Sequence, residues 1–176
     1  MKDFSMHILD ILQNSIVAKA TKIEFTILKE KQKDLLTFIF KDNGCGMDAE
    51  TVERVTNPFF TTRTTRKVGL GLPLLKQNAE MTGGTFSISS VPQQGTIVTA
   101  TFSLSHIDLK PMGDVAGILV LTISSHQDIH FIFTHKTDDN EFVFDSQEVK
   151  EALDGVSMQN PEIMSYLKEM IEENIT

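Results

Sequence analysis

Three polar residues interrupt a largely apolar stretch near the start of the chain. In HILDILQNSIVAKA, His7, Asp10 and Asn14 follow one another at spacings of three and four. On a helix that spacing puts them in one stripe. Two readings are open: a polar edge facing water, or a metal site with a base beside it. In the second, the Asn14 amide oxygen is a hard ligand suited to Mg²⁺ bound mainly by water and phosphates. Asp10 then orients a water molecule or another nucleophile.

Three further stretches carry possible chemistry. In DNGCGMD, an apolar strand runs into Asp42, with Gly44 and Gly46 just beyond. Asn-Gly after a strand is a common hairpin signal, yet the AETVERV that follows reads as helix. A strand ending in Asp, with glycines that allow close backbone approach, suits a flat ligand. Asp42 accepts hydrogen bonds only and can take the amino group of an adenine. In VGLGLPLL, Gly69 and Gly71 lead into a helix, where free N–H groups and the helix dipole favour an anion. Gly-Lys-Ser/Thr is absent, so this is no Walker A loop. Leu74 holds the third-glycine place of a Rossmann fingerprint, and no strand precedes it. In NPFFTTR, Phe59 and Phe60 stand beside hydroxyls and Arg63.

These residues need elements to hold them. Ile8, Ile11, Leu12 and Ile16 predict a helix over 4–20. Strands are expected at 22–28 and 35–41, followed by a short helix from Ala49 capped by Asp48. A helix is expected from about Pro73 to Met81, closed by TGG. TFSISS and TIVTATFSL form a hairpin in which Val98, Ala100, Phe102 and Leu104 share one buried face. Residues 105–116 are the best linker. Strands are expected near 117–123, 129–135 and 141–144. Asp145 and Glu148 form a capping box for a helix near 146–153. A last helix after Asn160 carries Ile163, Met164, Leu167, Met170 and Ile171 on one face.

Charge divides the chain. Residues 1–105 hold 12 basic and 10 acidic side chains, and residues 106–176 hold 4 and 14, within an overall net charge of −8. Such a jump suggests two regions with different surfaces, and an acidic protein argues against nucleic-acid binding. Five Lys and Arg between Arg54 and Lys76 surround the glycine pair. No run of about 18 apolar residues marks a membrane span, and no signal-peptide pattern is present. Cys45 is the single cysteine, so no intrachain disulfide forms. A cytoplasmic location is expected.

DILQNSIVAKAT, DNGCGMD, NPFFTTR, GLGLPLL and GGTFSISSVPQQGTIVTATF occur in that order over residues 4–104. This series resembles the GHKL ATPases, which include histidine kinases, DNA gyrase, the large heat-shock chaperones and the mismatch-repair MutL proteins. The resemblance implies an ATP site in a two-layer α/β sandwich: a mixed sheet covered on one face by helices, with residues 106–176 as an acidic α+β extension. It implies that Asn14 coordinates Mg²⁺ and that Asp42 reads the adenine amine, with Gly44 and Gly46 beside the ring. Residues 48–68 would be the ATP lid. Gly69, Gly71 and Leu72 would contact phosphates through their backbone, helped by Thr62, Arg63 and Lys67. Thr99 would lie on the strand that supplies a hydroxyl near the adenine.

Asp10 stands where hydrolytic members of the group carry glutamate. It is one methylene, roughly an ångström, shorter, and a misplacement of that order costs about a hundredfold in rate. The first motif begins near residue 4, so a phosphoaccepting hairpin is not expected in this chain, and His7 is expected to support Asp10. The function that follows is an ATP-binding, histidine kinase-like phosphotransferase whose acceptor is a separate protein. The alternatives are an ATP-switched protein-binding module without catalysis, or a slow ATPase cycling as a homodimer.

Overall fold

A computed structural model describes residues 2–57 and 71–176. Helix α1, Phe4–Val17, lies where the apolar spacing predicts it. Asp3 caps it by accepting a hydrogen bond from the Met6 N–H, as an N-cap carboxylate should. It stops short of residue 20 because Lys19 turns into the left-handed region, at φ 61°. Phe4, Ile8, Ile11 and Leu12 are buried from it.

Strands β1, Lys22–Glu30, and β2, Leu35–Asp42, pair antiparallel around a short 3₁₀ turn at Lys31–Lys33. Helix α2, Ala49–Val55, starts at Asp48, whose side chain accepts from the Thr51 N–H at 2.8 Å. Helix α3 spans Gly71–Met81, taking in the expected stretch from Pro73. Strands β3, Phe86–Val91, and β4, Gly95–Ser103, form the expected hairpin.

The C-terminal region gives helix α4, Val115–Ser125, strands β5, His130–Thr137, and β6, Glu141–Asp145, then helices α5, Ser146–Leu153, and α6, Pro161–Ile175. Residues 117–123 are therefore helix, not the expected strand. Ile118, Val120 and Ile123 raise strand propensity, but that preference yields to packing. The Asp114 carboxylate caps α4 through the Gly117 N–H. The helix buries Val115, Ala116, Leu119, Val120, Thr122 and Ile123, because it packs between α1 and α6. Burial around most of its circumference leaves no polar stripe to reveal its period.

The six strands form one sheet in the order β3-β4-β2-β1-β5-β6. Only β1 and β5 run parallel, so the sheet is mixed. The inward face carries Phe25, Phe38, Phe40, Phe102 and Phe133. Phe25 stacks on Phe40 at 4.5 Å, and Phe4 meets Phe38 and Phe102 edge-on at 5.0 and 4.7 Å. Such pairs add about 0.5–1.5 kcal/mol each beyond area burial and pin α1 to the sheet. The chain is thus a two-layer α/β sandwich with helices on one face. Among the described residues, no helix is long and apolar enough to cross a membrane.

Candidate functional site

A cavity of about 240 Å³ opens between α1, the ends of β2 and β4, α2 and the start of α3. Ile11, Phe40, Val55, Leu72 and Val98 give it apolar walls, and Asn14, Ser15, Asp42 and Thr96 supply polar groups. A largely apolar slot with a few fixed polar atoms has the make-up of a small-molecule site.

Asp42 is held from two sides. Its Oδ2 accepts from the Ser15 hydroxyl at 2.6 Å, and its Oδ1 accepts from the Gly44 N–H at 2.8 Å. Thr96 stands directly opposite it in the β2–β4 register. The Thr96 hydroxyl lies 2.7 Å from Ser90 Oγ, which also accepts from the Met47 N–H at 2.8 Å. The DNGCG loop is pinned at Cys45 from both sides: its N–H donates to Ala18 O, and its carbonyl O accepts from the Gln93 N–H. Asn-Gly here leads into α2 and does not turn a hairpin. Gly46 sits at φ 67°, where a Cβ would lie 2.0 Å from Val91 O, so only glycine lets this loop close on β3.

At the other end of the site, Asp10 on α1 faces the first residue of α3. A Cβ on Gly71 would come within 2.9 Å of Asp10 Cβ, so the glycine lets the first described turn of α3 approach this carboxylate closely. Burial pushes the Asp10 carboxyl above its ordinary range. Asn14 lies one turn along α1, and its Nδ2 is buried with no hydrogen-bond partner among the described residues. Such an orphaned amide is costly in a resting fold and is expected where a ligand completes the bonding.

The fold therefore gathers Asp10, Asn14, Asp42, Gly44, Gly46, Gly71 and Leu72 around one region. Thr99 is not brought there. It alternates with the buried Val98 and Ala100, so it faces the far side of the sheet, whereas Thr96 lines the cavity. The alternation that puts Val98, Ala100 and Phe102 inward also puts Thr96 inward, so this signal was present in the sequence. Ser15 was missed too, although it continues the buried Ile8–Ile11 stripe at the next helical step. Thr62, Arg63, Lys67 and Gly69 lie outside the described residues. So do residues 58–68 of the expected lid; within its first part, Ala49–Val55 form α2. His7 does not support Asp10: both its ring nitrogens are buried without partners among the described residues.

Comparison with known proteins agrees with this geometry. The family model described as histidine kinase-, DNA gyrase B-, and HSP90-like ATPase matches residues 3–106. A putative sensor protein of Shewanella frigidimarina is 32% identical over 103 residues, covering 57% of this chain and 16% of the relative. The sensor histidine kinase YvrG of Bacillus subtilis is 30% identical over 97 residues, covering 53% of this chain and 17% of the relative. This chain thus spans about a sixth of the length of these curated relatives. Among solved structures, the Aquifex aeolicus MutL ATPase domain, complexed with ADP, matches with a TM-score of 0.51 at 16% identity, over 97% of this chain and 70% of that one. The N-terminal domain of a DNA repair protein matches with a TM-score of 0.58 at 17% identity, over 81% of this chain and 52% of that one. These two show the fold alone. The likeness to MutL also takes in the acidic C-terminal region, which the sequence motifs left unassigned. By the match over residues 3–106, the chain belongs to the family of histidine kinase-, DNA gyrase B- and HSP90-like ATPases.

Proposed function

We propose that this histidine kinase-like ATP-binding protein transfers the γ-phosphoryl group of ATP to an acceptor on a separate protein. The observation that carries the reading is Asp42, held by Ser15 and Gly44 at one end of an apolar slot whose other end approaches Asp10, Asn14 and the α3 N-terminus. In this reading Asp42 accepts from the adenine amine, with Thr96 beside it and Gly44 and Gly46 along the ring. Gly71 and Leu72 offer backbone N–H groups to the phosphates. Pro73 has none to offer. Thr62, Arg63, Lys67 and Gly69 are assigned to the phosphates by their motifs.

Mg²⁺ fits the residues present. The Asn14 side-chain amide carries one hard oxygen, Oδ1 (its unpartnered atom is the donor Nδ2), and no cluster of three His, Cys, Asp or Glu side chains occurs among the described residues. The ion would be held by Asn14 together with phosphates and water, as Mg²⁺ commonly is. Its chemistry there is neutralisation of phosphate charge. Asp10 orients the incoming nucleophile and holds its proton as the phosphoryl group leaves ADP.

None of the five histidines lines the slot. His7 and His135 are buried, and His106, His126 and His130 lie on or after the segment that follows β4. This supports an acceptor supplied by a partner. Residues 1–105 form the ATP-binding unit in this reading, and the acidic residues 106–176 offer a surface to that partner.

The test is calorimetry with Mg·ATP and with ATP in EDTA, followed by incubation with radiolabelled ATP and proteins that co-purify. Asn14→Ala is expected to weaken Mg·ATP far more than free ATP, and label is expected on the partner. Equal weakening of both would remove the metal role. Nucleotide-dependent partner binding with no label transferred would favour an ATP-switched binding module instead.

A further inference from the structure

We propose that a cavity between the sheet and the segment joining β4 to α4 binds a short hydrocarbon chain headed by a carboxylate. The inference does not depend on the phosphotransfer reading, and no residue lining this cavity lines the nucleotide slot. Its volume is about 130 Å³. Dry apolar cavities of about 150 Å³ take a benzene ring, so this one takes a chain of about five carbons. Ile27 and Leu36 line it from the sheet, Phe4 from α1, Leu109 and Met112 from the segment after β4, and Ile175 from the end of α6. That segment is fastened in place. Pro111 O accepts from the Phe4 N–H and Met112 O from the Ser5 N–H, both at 2.9 Å, and the Leu109 N–H donates to His106 O at 3.1 Å.

Two polar side chains break these apolar walls. Along β1, Ile23, Phe25 and Ile27 are buried at alternate positions, and Lys29 comes next. Along β5, Phe131 and Phe133 are followed in the same way by His135. Strand alternation therefore turns both towards the helix layer, where a polar group is informative. Both line the cavity. His135 is 6% exposed. Its ring makes no hydrogen bond among the described residues, yet its nitrogens are not sealed as those of His7 are. The Lys29 side chain makes no hydrogen bond or ion pair among the described residues. Lys110 also lines the cavity but is already partnered.

These two groups decide the class of ligand. Burial first, and then the charge of Lys29, lower the His135 pKa, so the ring is neutral and offers one N–H donor. A free ammonium and an N–H donor at the edge of an apolar cavity suit a carboxylate, with its hydrocarbon chain among Phe4, Leu36 and Met112. No acidic side chain among the described residues lines this cavity. A polar hollow of about 200 Å³ shares Lys29, His135 and Ile175 with it, which marks the end where the head group lies. The hollow also holds Asp138 and Asp139. Asp138 Oδ2 is occupied by the N–H groups of Lys31 and Gln32, at 2.9 and 3.4 Å. Both carboxylates oppose a second negative charge on the ligand, which argues against dicarboxylates and phosphate esters.

The test uses the full chain, labelled with ¹³C at the methionine methyls and ¹⁵N at the histidine rings. Isocaproate, isohexanol and leucine are titrated at millimolar concentration while the Met112 methyl and the His135 ring nitrogens are followed by NMR. Isocaproate is expected to give saturable shifts at both residues. Isohexanol, which has the same chain without the charge, is expected to bind about tenfold more weakly or worse. Leucine separates two sources of the same head group: binding as tight as isocaproate identifies an amino acid, and weaker binding a free carboxylic acid. Lys29→Met removes the charge and is expected to weaken isocaproate by about tenfold or more, whereas Lys29→Arg keeps the charge and the binding. Absence of saturable shifts at both residues would overturn the proposal. Equal affinity for isocaproate and isohexanol would overturn it in the unaltered protein, whether or not the variants fold. Undiminished binding by a folded Lys29→Met protein would do so as well. Mg·ATP binding, measured separately, succeeds or fails independently of these outcomes.

Discussion

The Ser15 hydroxyl on α1 donates to Asp42 Oδ2 on β2 at 2.6 Å, joining the helix layer to the sheet across the nucleotide slot. The bond fixes the direction in which Asp42 presents its free lone pairs. Ser15 is itself 4% exposed, so water cannot readily replace it. Ser15→Ala is expected to weaken ATP by about tenfold, since a hydrogen bond to a charged group contributes about 1.5–3 kcal/mol. Preference for adenine over guanine nucleotides should fall with it. Calorimetry with both nucleotides checks this, and unchanged affinity and preference would show that the Gly44 N–H alone is enough to position Asp42.

Gly71 sets the distance between α3 and Asp10. A methyl group there would lie 2.9 Å from Asp10 Cβ, closer than real side chains come. The helices must part, or Asp10 must swing away. Gly71→Ala is therefore expected to slow the proposed phosphoryl transfer by about a hundredfold, the scale of an ångström's misplacement. Overpacking of this kind costs about 1–3 kcal/mol of stability, so the protein should still fold. Single-turnover kinetics beside thermal unfolding separates the two effects. Full activity in the variant would mean that Asp10 does not act on the reacting groups.

Much of this arrangement was legible in the sequence, for physical reasons that differ from element to element. α1, α3 and the β3–β4 hairpin carry clear apolar periods because one side of each faces the core and the other faces water. α6 is equally clear, with Leu167 and Ile171 buried and its four glutamates exposed. α4 was read as strand because burial on most sides removed its period. Asp42 and Asn14 stood out because a polar group on an apolar background is informative. Ser15 was hidden by its small size. The placing of Thr99 against Thr96 turned on strand parity, which a one-residue shift reverses completely. The parallel pairing of β1 with β5, which joins the acidic region to the sheet, depends on contacts between residues about 100 positions apart. No local pattern reports such a pairing.

His7 makes stability depend on pH in a definite window. Its ordinary pKa is 6.5, and burial brings it to about 4 in the folded chain. Between those values the unfolded state binds the proton and the folded state does not. Stability is then intact above about pH 6.5 and falls as pH drops towards 4. His7→Gln removes the titration, so its stability should change less across the same window. Urea unfolding of both proteins at several pH values checks this. Parallel curves from pH 7 to 4 would show that the imidazole is already paired or protonated in the native state.

Asp10 has the opposite sign. Burial raises its carboxyl pKa above the ordinary 3.8 in the folded chain, so the native state holds this proton more tightly than the unfolded state. The linkage costs stability as pH rises from about 3.8 through the folded pKa, and the cost stays at its full value above that. Asp10→Asn keeps the size and removes the charge, so the unliganded protein should melt higher at neutral pH. The gain should vanish in acid, where the carboxyl is protonated in both states. Phosphoryl transfer should fall by about a hundredfold or more, the usual effect of losing a positioned acid–base group, while ATP affinity changes little. A variant that is less stable at pH 7, or that transfers phosphate at the original rate, would show that Asp10 is a structural residue whose charge the fold already accommodates. A more stable and inactive variant would instead place a charge that opposes folding where the chemistry requires it, as expected for a group kept ionised, partly desolvated and close to the phosphates.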